Sequence, residues 1–526
     1  MAMHSPKVRL PERMNAAAVF VDGHVEAGRG GRTAVLCSED RWNYVQVKEL
    51  MDRVAAGLRS LGVRREERVL LLLPDGPHFA ACFFGTMKLG AVAVPLSTLL
   101  TPDDYLALLE DSGGAVLVTT SDLYKKIEPI RRAARHLRNV IATDASPAGC
   151  IDFDEWTRSA DAVIDPEDTS KDDAAFWLYS SGTTGRPKAA VHLHHDMVVA
   201  ADLYALPTLR LGPDDVCFSV AKLFFAYGLG NGLYFPFRVG AAAVHLPGRP
   251  TPEAVFAAID RHRPTVFYSV PTSYAALLAH AEERGIASLG RVRIAVSAGE
   301  QLPAAIFRRW SERFGVEVLD GIGSTEILHI FISNRIGRAR AGSTGEIVPG
   351  YEARIVGADG RELPPGEIGD LLIKGDSICS EYWNRHEETK RTILGEWIRT
   401  GDKFHVDRDG YFYFHGRGDD MLKVSGYWVS PAEVEAALIE HPAVLECGVV
   451  GRSDADELTK PFAYVVPREG REPSSGLADE LKTFLRGRLA PYKIPKWIEF
   501  VAALPKTPTG KVQRYRLRAQ AARQIG

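Results

Sequence analysis

The stretch RVLLLLPDGPHFAACFFGTMKLGAVAVPL, Arg68 to Leu96, limits the possible folds more than any other feature of the chain. A short Val/Leu run leads into a Pro- and Gly-containing turn, then apolar residues at helical spacing, then a second β-branched run. That order predicts strand, helix, strand, the βαβ unit. The pattern recurs through GAVLVTT, TVFYSVP and RIAVSAGE, so roughly the first 330 residues are expected to form parallel α/β layers.

Beyond that point the texture changes. GEIVPGYEARIVGADGRELPPGEIGDLLIKG alternates apolar and polar residues between Gly- and Pro-rich turns, which predicts a small antiparallel, β-barrel-like subdomain. DRDGYFYFHGRGDD reads as a hairpin running into a charged, glycine-containing joint. Ser430, Pro431, Ala432 and Glu433 then have the pattern of a capping box with proline at the first helical position, opening the helix AEVEAALIEH. With 526 residues the chain is too long for one core and predicts three or four units. The expected division is a large α/β domain over 1–418 and a smaller, mobile α+β domain over 419–526.

Composition narrows the partners. Hydrophobic residues at 45% and charged residues at 25% describe an ordinary globular protein, and a net charge of −3 gives no electrostatic reason for nucleic acid or an anionic membrane. The six cysteines form no CxxC pair, so neither a zinc site nor a disulfide framework is expected, and a reducing cytoplasm fits. No apolar run approaches a membrane span, and Asp22 interrupts the N-terminal apolar stretch too early for a signal-peptide core.

YSSGTTGRPK, Tyr179 to Lys188, resembles a phosphate loop but is not a P-loop: Lys188 follows Pro187 rather than glycine, and Ala189 stands where a magnesium-holding hydroxyl belongs. Two glycines, four hydroxyls and the charges of Arg186 and Lys188 still describe a flexible anion-binding loop, set between apolar strands. In DGIGSTE, Asp320 to Glu326, a Gly-Ser-Thr turn precedes a carboxylate able to hold magnesium through oxygen. RTGD, Arg399 to Asp402, is expected to set a carboxylate at a strand end, suited to the paired hydroxyls of a ribose. GRGDD, Gly416 to Asp420, has the make-up of an interdomain hinge, and PTGK presents Lys511 on a loop near the C-terminus. His192, His194 and His195 are not spaced as a helical metal-ligand pair.

These motifs, in this order and at these separations, resemble the adenylate-forming superfamily of acyl- and aryl-CoA ligases, peptide-synthetase adenylation domains and luciferases, and the resemblance runs over nearly the whole chain. It implies ATP, Mg2+ and CoA as cofactors or co-substrates and a two-step reaction through an acyl-adenylate. By the same resemblance Ser180, Ser181, Gly182, Thr183, Thr184, Gly185 and Lys188 would grip the β- and γ-phosphates. Gly299, Glu300 and Gln301 would flank adenine, with Asp320, Gly321, Ile322 and Ser324 completing the ATP site. Thr325 would bind the α-phosphate, Glu326 would hold magnesium, and Asp402 and Arg417 would contact ribose. Lys511 would bridge the substrate carboxylate and the α-phosphate, Asp419 would be the hinge, and Ser425, Gly426, Tyr427 and Trp428 would face CoA. The chain departs from the family pattern at Ile322, where an adenine-stacking tyrosine is usual, at Ala189, where glycine is frequent, and at Trp428, where arginine or asparagine is common.

KLFFAYGLGN, Lys222 to Asn231, together with GIGSTEILHIFISN, is most similar to benzoate-CoA ligases. A pocket built from Phe225, Ala226, Tyr227, Gly228, Phe235, Gly323, Ile327 and His329 would be short, flat and mostly apolar, the size of one ring. The resemblance therefore implies a small aromatic carboxylic acid as partner. Other aryl acids (2-aminobenzoate, hydroxybenzoate, 4-coumarate) and the loading of a carrier protein remain open, as does a monomer or a homodimer.

Overall fold

The computed structural model describes residues 8–160, 164–181, 187–418, 420–424, 427–454, 458–506 and 512–523. Arg68–Leu72 and Val92–Pro95 lie parallel, in register from Arg68↔Val92 to Leu71↔Pro95, and helix Pro77–Lys88 crosses between them. Proline at the first position suits this helix because its fixed φ is already helical and its missing N–H had no partner to lose. The helix is buried almost all round, with Phe79, Phe83 and Phe84 fully buried and its one charge, Lys88, paired with Asp22 and Asp52. Such a helix has no face for water and belongs between two layers.

Two large sheets supply those layers. The first has eight strands, in the order Glu381–Tyr382, β2 and β1, then Val92–Pro95, Arg68–Leu72, Val116–Thr119, Asn139–Ala142 and Ile151–Asp152, where β1 is Ala174–Ser181 and β2 is Pro187–Leu193. The second has nine and includes the parallel strands Val216–Ser219, Ala242–His245, Val266–Ser269, Ile294–Ser297 and β3, which is Val318–Gly323. Its far side is antiparallel: β4 (Ile330–Ser333) returns along β3, and Glu346–Ile347 pairs with β4. One core cluster joins Val69, Leu71 and Phe176 of the first sheet to Tyr268 and Val296 of the second through Phe83, Phe84 and Phe237. The α/β layering expected from the sequence is therefore the architecture of the large domain.

The antiparallel subdomain is a five-stranded sheet of Glu352–Val356, Gly369–Lys374, Ile393–Leu394, β5 (Trp397–Val406) and β6 (Phe412–Arg417). Glu346–Ile347, expected within it, instead extends the nine-stranded sheet. C-terminal to these, a hairpin of Leu422–Val424 with Tyr427–Val429 and a three-stranded sheet of Val444–Ser453, Thr459–Pro467 and Trp497–Phe500 form the smaller α+β part. Helix Ser475–Arg486 covers it with Leu477, Leu481 and Leu485, one stripe at a spacing of four. The expected capping box at Ser430 is half made. Ser430 Oγ accepts from the Glu433 amide at 3.1 Å, but the Glu433 carboxylate turns away to Lys493, at 2.6 and 2.7 Å, because a charge-assisted pair outcompetes a bond to a backbone amide.

All six cysteines are free thiols, and among the described residues no helix is long and apolar enough to cross a membrane.

Candidate active site

The phosphate-loop motif connects an antiparallel hairpin. β1 and β2 pair Ser180 with Lys188 and Ser181 with Pro187, so the ends of the motif face each other across the hairpin mouth. Gly182, Thr183, Thr184 and Gly185 lie outside the described residues. The strands are held in place by Phe176, Trp177 and Leu178 on one side and Ala189, Ala190 and Val191 on the other, all buried.

The second motif comes to meet this hairpin. β3 runs through Gly323, where β4 pairs with it, and then breaks into a short 3-10 turn, Thr325–Ile327, capped by Ser324 Oγ on the Ile327 amide at 3.2 Å. Gly323 has to be glycine: a Cβ there would lie 2.6 Å from the His329 carbonyl oxygen and 2.7 Å from its carbon. Leu328, buried, sits at φ 73°, a conformation that costs a branched residue strain of order 1–3 kcal/mol. The kink turns Glu326 and His329 in different directions. Glu326 Oε1 accepts from Ser180 Oγ at 3.2 Å and from Tyr382 Oη at 2.8 Å, and the Glu326 carbonyl accepts the Cys379 amide at 2.7 Å. Burial and the Glu326 carboxylate push the Tyr382 phenol far above its usual range, so it stays a donor. Lys188 Nζ lies 5.3 Å from the centre of the same ring. Tyr382 was missed in the sequence, where nothing separates it from a core tyrosine 56 residues downstream of Glu326.

His329 points the other way, into aromatic surroundings. Its ring centre is 4.3 Å from Phe235 and 5.5 Å from Tyr227, and Nε2 faces the Tyr227 carbonyl at 3.3 Å. Burial lowers its pKa to about 3, so the ring is neutral near pH 7. Tyr227 donates to the carbonyls of Val296 at 3.0 Å and Ser269 at 3.3 Å, which ties its hydroxyl to the ends of the two central parallel strands. Phe225 caps the short helix Ala226–Leu229, and Gly228 lies so close to the Lys222 carbonyl that a Cβ would be 2.1 Å from it. Ile327 is fully buried. His329 thus touches both Phe235 and Tyr227, three residues along the chain from Glu326.

The nucleotide-side candidates divide. Asp320 is buried, and burial pushes its carboxyl up to about 8 although Ser297 and the Leu302 and Gly321 amides pull it down. Ile322 is half-buried against the main core. Gly299, at φ 94°, turns the chain after strand Ile294–Ser297 and presents Glu300 and Gln301. Glu300 acts electrostatically on Arg514, which the smaller domain anchors to Glu435 at 2.6 Å. Asp402 does not end a strand: it lies inside β5, opposite Arg417 of β6, whose guanidinium donates to Asp402 Oδ1 at 3.0 Å and to the Thr400 carbonyl at 2.9 Å. Gly401, at φ 78°, bends β5 there, and a Cβ would lie 2.8 Å from the Arg417 guanidinium, so the ladder continues past a local break instead of stopping.

Asp419, Ser425, Gly426 and Lys511 lie outside the described residues, as do the side chains of Tyr427 and Trp428, whose backbone forms the second strand of the small hairpin. The three histidines are occupied within the fold. His194 Nδ1 accepts the Ala16 amide at 3.1 Å, and burial lowers its pKa to about 4; His195 Nδ1 lies 2.9 Å from the Lys171 carbonyl. His192 bridges Asp196 and the Thr325 carbonyl. Among the described residues no group of three His, Cys, Asp or Glu side chains is arranged for a metal. Glu326 is a different kind of donor. Among the described residues its side-chain hydrogen bonds fall on Oε1, and an oriented carboxylate beside Ser180 suits a hard cation whose other ligands are phosphate oxygens.

Comparison with known proteins gives the family. The AMP-binding enzyme family matches residues 23–383, and the AMP-binding enzyme C-terminal domain matches residues 433–511. A benzoate–CoA ligase of Thauera aromatica is 46% identical over 98% of this chain and 97% of its own length. A 4-hydroxybenzoate–CoA/benzoate–CoA ligase of Rhodopseudomonas palustris is 42% identical, covering 96% and 94%. Among solved structures, an anthranilate CoA ligase in complex with anthranoyl-AMP superposes with a TM-score of 0.94 at 41% identity, covering 98% of both chains. A benzoate CoA ligase of Burkholderia xenovorans LB400 gives 0.89 at 44% identity, covering 96% of this chain and 100% of its own.

Proposed function

This chain belongs to the AMP-binding enzyme family, and from that premise we propose how its residues carry out the reaction and that benzoate is the acid activated. It is an AMP-forming aryl-acid–CoA ligase that uses ATP and CoA. A carboxylate oxygen attacks the α-phosphorus of ATP, the bond between the α-phosphorus and the bridging oxygen breaks, and pyrophosphate leaves. The CoA sulfur then attacks the acyl carbon of the adenylate, losing its proton, and AMP leaves. Both partners in the first step are anions, so the protein's work is positioning and charge neutralisation.

The observation that carries the assignment is the junction of Ser180, Glu326 and Tyr382, which joins the phosphate hairpin to the acidic turn beside the aromatic cluster of Tyr227, Phe235 and His329. Ser180, Lys188 and the loop between them would receive the β- and γ-phosphates, Thr325 the α-phosphate, and the Asp402–Arg417 pair the ribose hydroxyls. Glu326 would hold magnesium, which neutralises charge on the phosphates when bound. Lys511 would bridge the carboxylate and the α-phosphate, and the domain following Asp419 would swing to exchange Lys511 for the Ser425–Trp428 loop on the CoA side. A neutral His329 among aromatic rings favours an uncharged ring and leaves the acid's one charge for the nucleotide end. A cytoplasmic location and a monomer or homodimer complete the reading. The likeness to an anthranilate ligase keeps 2-aminobenzoate as a second acid.

The test is pyrophosphate release against benzoate, 2-aminobenzoate, 4-hydroxybenzoate, 4-coumarate and octanoate, with and without CoA. Benzoate should give the highest kcat/KM, and CoA should convert the adenylate to thioester. A preference for octanoate would overturn the aryl pocket, and adenylate without thioester would favour carrier loading.

A further inference from the structure

His192 and Asp196 are fully buried, yet neither has a part in the reaction described above. His192 stands on β2, four residues beyond Lys188, with Nδ1 2.8 Å from Asp196 Oδ2 and Nε2 2.8 Å from the Thr325 carbonyl oxygen, 133 residues away in sequence. The Leu193 amide donates to the same Asp196 Oδ2 at 3.1 Å, and Phe176 stacks on the imidazole at 5.0 Å and 15°. A carbonyl oxygen only accepts, so Nε2 meets Thr325 with an N–H, and Asp196 holds the ring from its other nitrogen.

The carbonyl it grips belongs to a weak element. The 3-10 turn is three residues long, and the strained Leu328 follows directly. So short a turn has little internal hydrogen bonding to fix its orientation. Contacts from outside must do so: Ser180 of β1 holds the Glu326 side chain, and His192 of β2 holds the Thr325 backbone. The two strands flanking the phosphate loop thus grip the acidic turn from two sides.

We propose that His192, held by Asp196, is a positioning residue for adenylation: by fixing the Thr325 carbonyl it sets the Thr325 hydroxyl and the Glu326 carboxylate relative to the phosphate loop. The inference rests on the reading that Thr325 and Glu326 face the nucleotide. The side-chain amide of glutamine reaches where Nε2 lies and can donate to the Thr325 carbonyl, whereas that of asparagine reaches only where Nδ1 lies and can serve Asp196 alone.

The experiment compares His192→Phe, His192→Asn and His192→Gln in aryl-acid-dependent ATP–pyrophosphate exchange, with AMP affinity by calorimetry and melting temperature measured alongside. His192→Phe and His192→Asn should lower kcat for exchange on the order of 100-fold, the scale of a lost preorganised donor, with KM for the acid within about threefold. His192→Gln should recover exchange to within about tenfold of wild type and restore AMP affinity. Asparagine recovering as much as glutamine, or His192→Phe staying within threefold, would overturn the proposal; if His192→Phe does not fold, the Gln/Asn pair decides alone. A wild type without aryl-acid-dependent exchange would overturn the functional reading first, and is seen before any variant is made.

Discussion

Replacing Tyr382 with phenylalanine removes one hydroxyl and leaves the ring, and with it the surface beneath Lys188, in place. What is lost is the 2.8 Å bond to Glu326 Oε1. A hydrogen bond to a charged acceptor contributes about 1.5–3 kcal/mol, which at about 1.4 kcal/mol per factor of ten corresponds to roughly 10- to 100-fold. Ser180 still donates to the same oxygen at 3.2 Å, a longer contact, so Glu326 stays partly anchored and the loss should fall near the lower end. The expected result is an adenylation rate down about 10- to 30-fold, and a higher magnesium concentration needed for half-maximal exchange, since a less oriented carboxylate binds the cation more weakly. Thioester formation from supplied benzoyl-adenylate should change by less than about threefold, because the pyrophosphate side of the site is then no longer in use. Ser180→Ala combined with Tyr382→Phe should cost more than the sum of the single changes, as the two donors share one oxygen. Equal losses in both half-reactions, or an unchanged magnesium dependence, would refute the claim that Tyr382 acts through Glu326.

Gly323→Ala would drive a methyl against the His329 main chain, so kcat/KM for benzoate should fall by at least about 100-fold while much of the fold persists, checked by activity against circular dichroism. Asp320, whose carboxyl burial raises to about 8, binds a proton in the folded state that it loses when unfolded near neutral pH. Its contribution is therefore complete at pH below about 4 and is lost as pH rises through about 8, by at most about 1.4 kcal/mol per pH unit. Urea unfolding from pH 5 to 8 should show this decline, and Asp320→Asn should flatten it. Lys511→Ala should reduce adenylation by about a thousandfold yet still convert supplied adenylate and CoA to thioester; parallel loss of both would show a structural role.

The layered α/β architecture was legible because its signals are local. Runs of Val, Leu and Phe at period 2 or 3.6, broken by Pro and Gly, specify the Arg68–Pro95 unit whatever surrounds it, and the hairpin Trp397–Arg417 declares itself through its turn residues. The motifs around Ser180, Glu326 and Asp402 were legible for the same reason, as clusters of hydroxyl, glycine and carboxylate within a few residues of one another.

Partnerships across the chain were not. Tyr382 and His192 carry no local mark of their partners, since a tyrosine beside a tryptophan and a histidine on a buried strand are ordinary core residues until packing brings them 2.8 Å from Glu326 and Thr325. Glu433 has the sequence of a capping residue, but Lys493, 60 residues away, offers a full charge and takes the carboxylate. Asp402 reads as a strand end, yet β5 continues, since Gly369–Lys374 pairs with it on both sides of the bend and β6 pairs with it from Asp402 onward. Local sequence sets which elements form and where they turn, because those energies depend on neighbouring residues. Which side chain reaches the Glu326 carboxylate depends on distances between segments, and these exist only once the two sheets and the antiparallel subdomain have packed together.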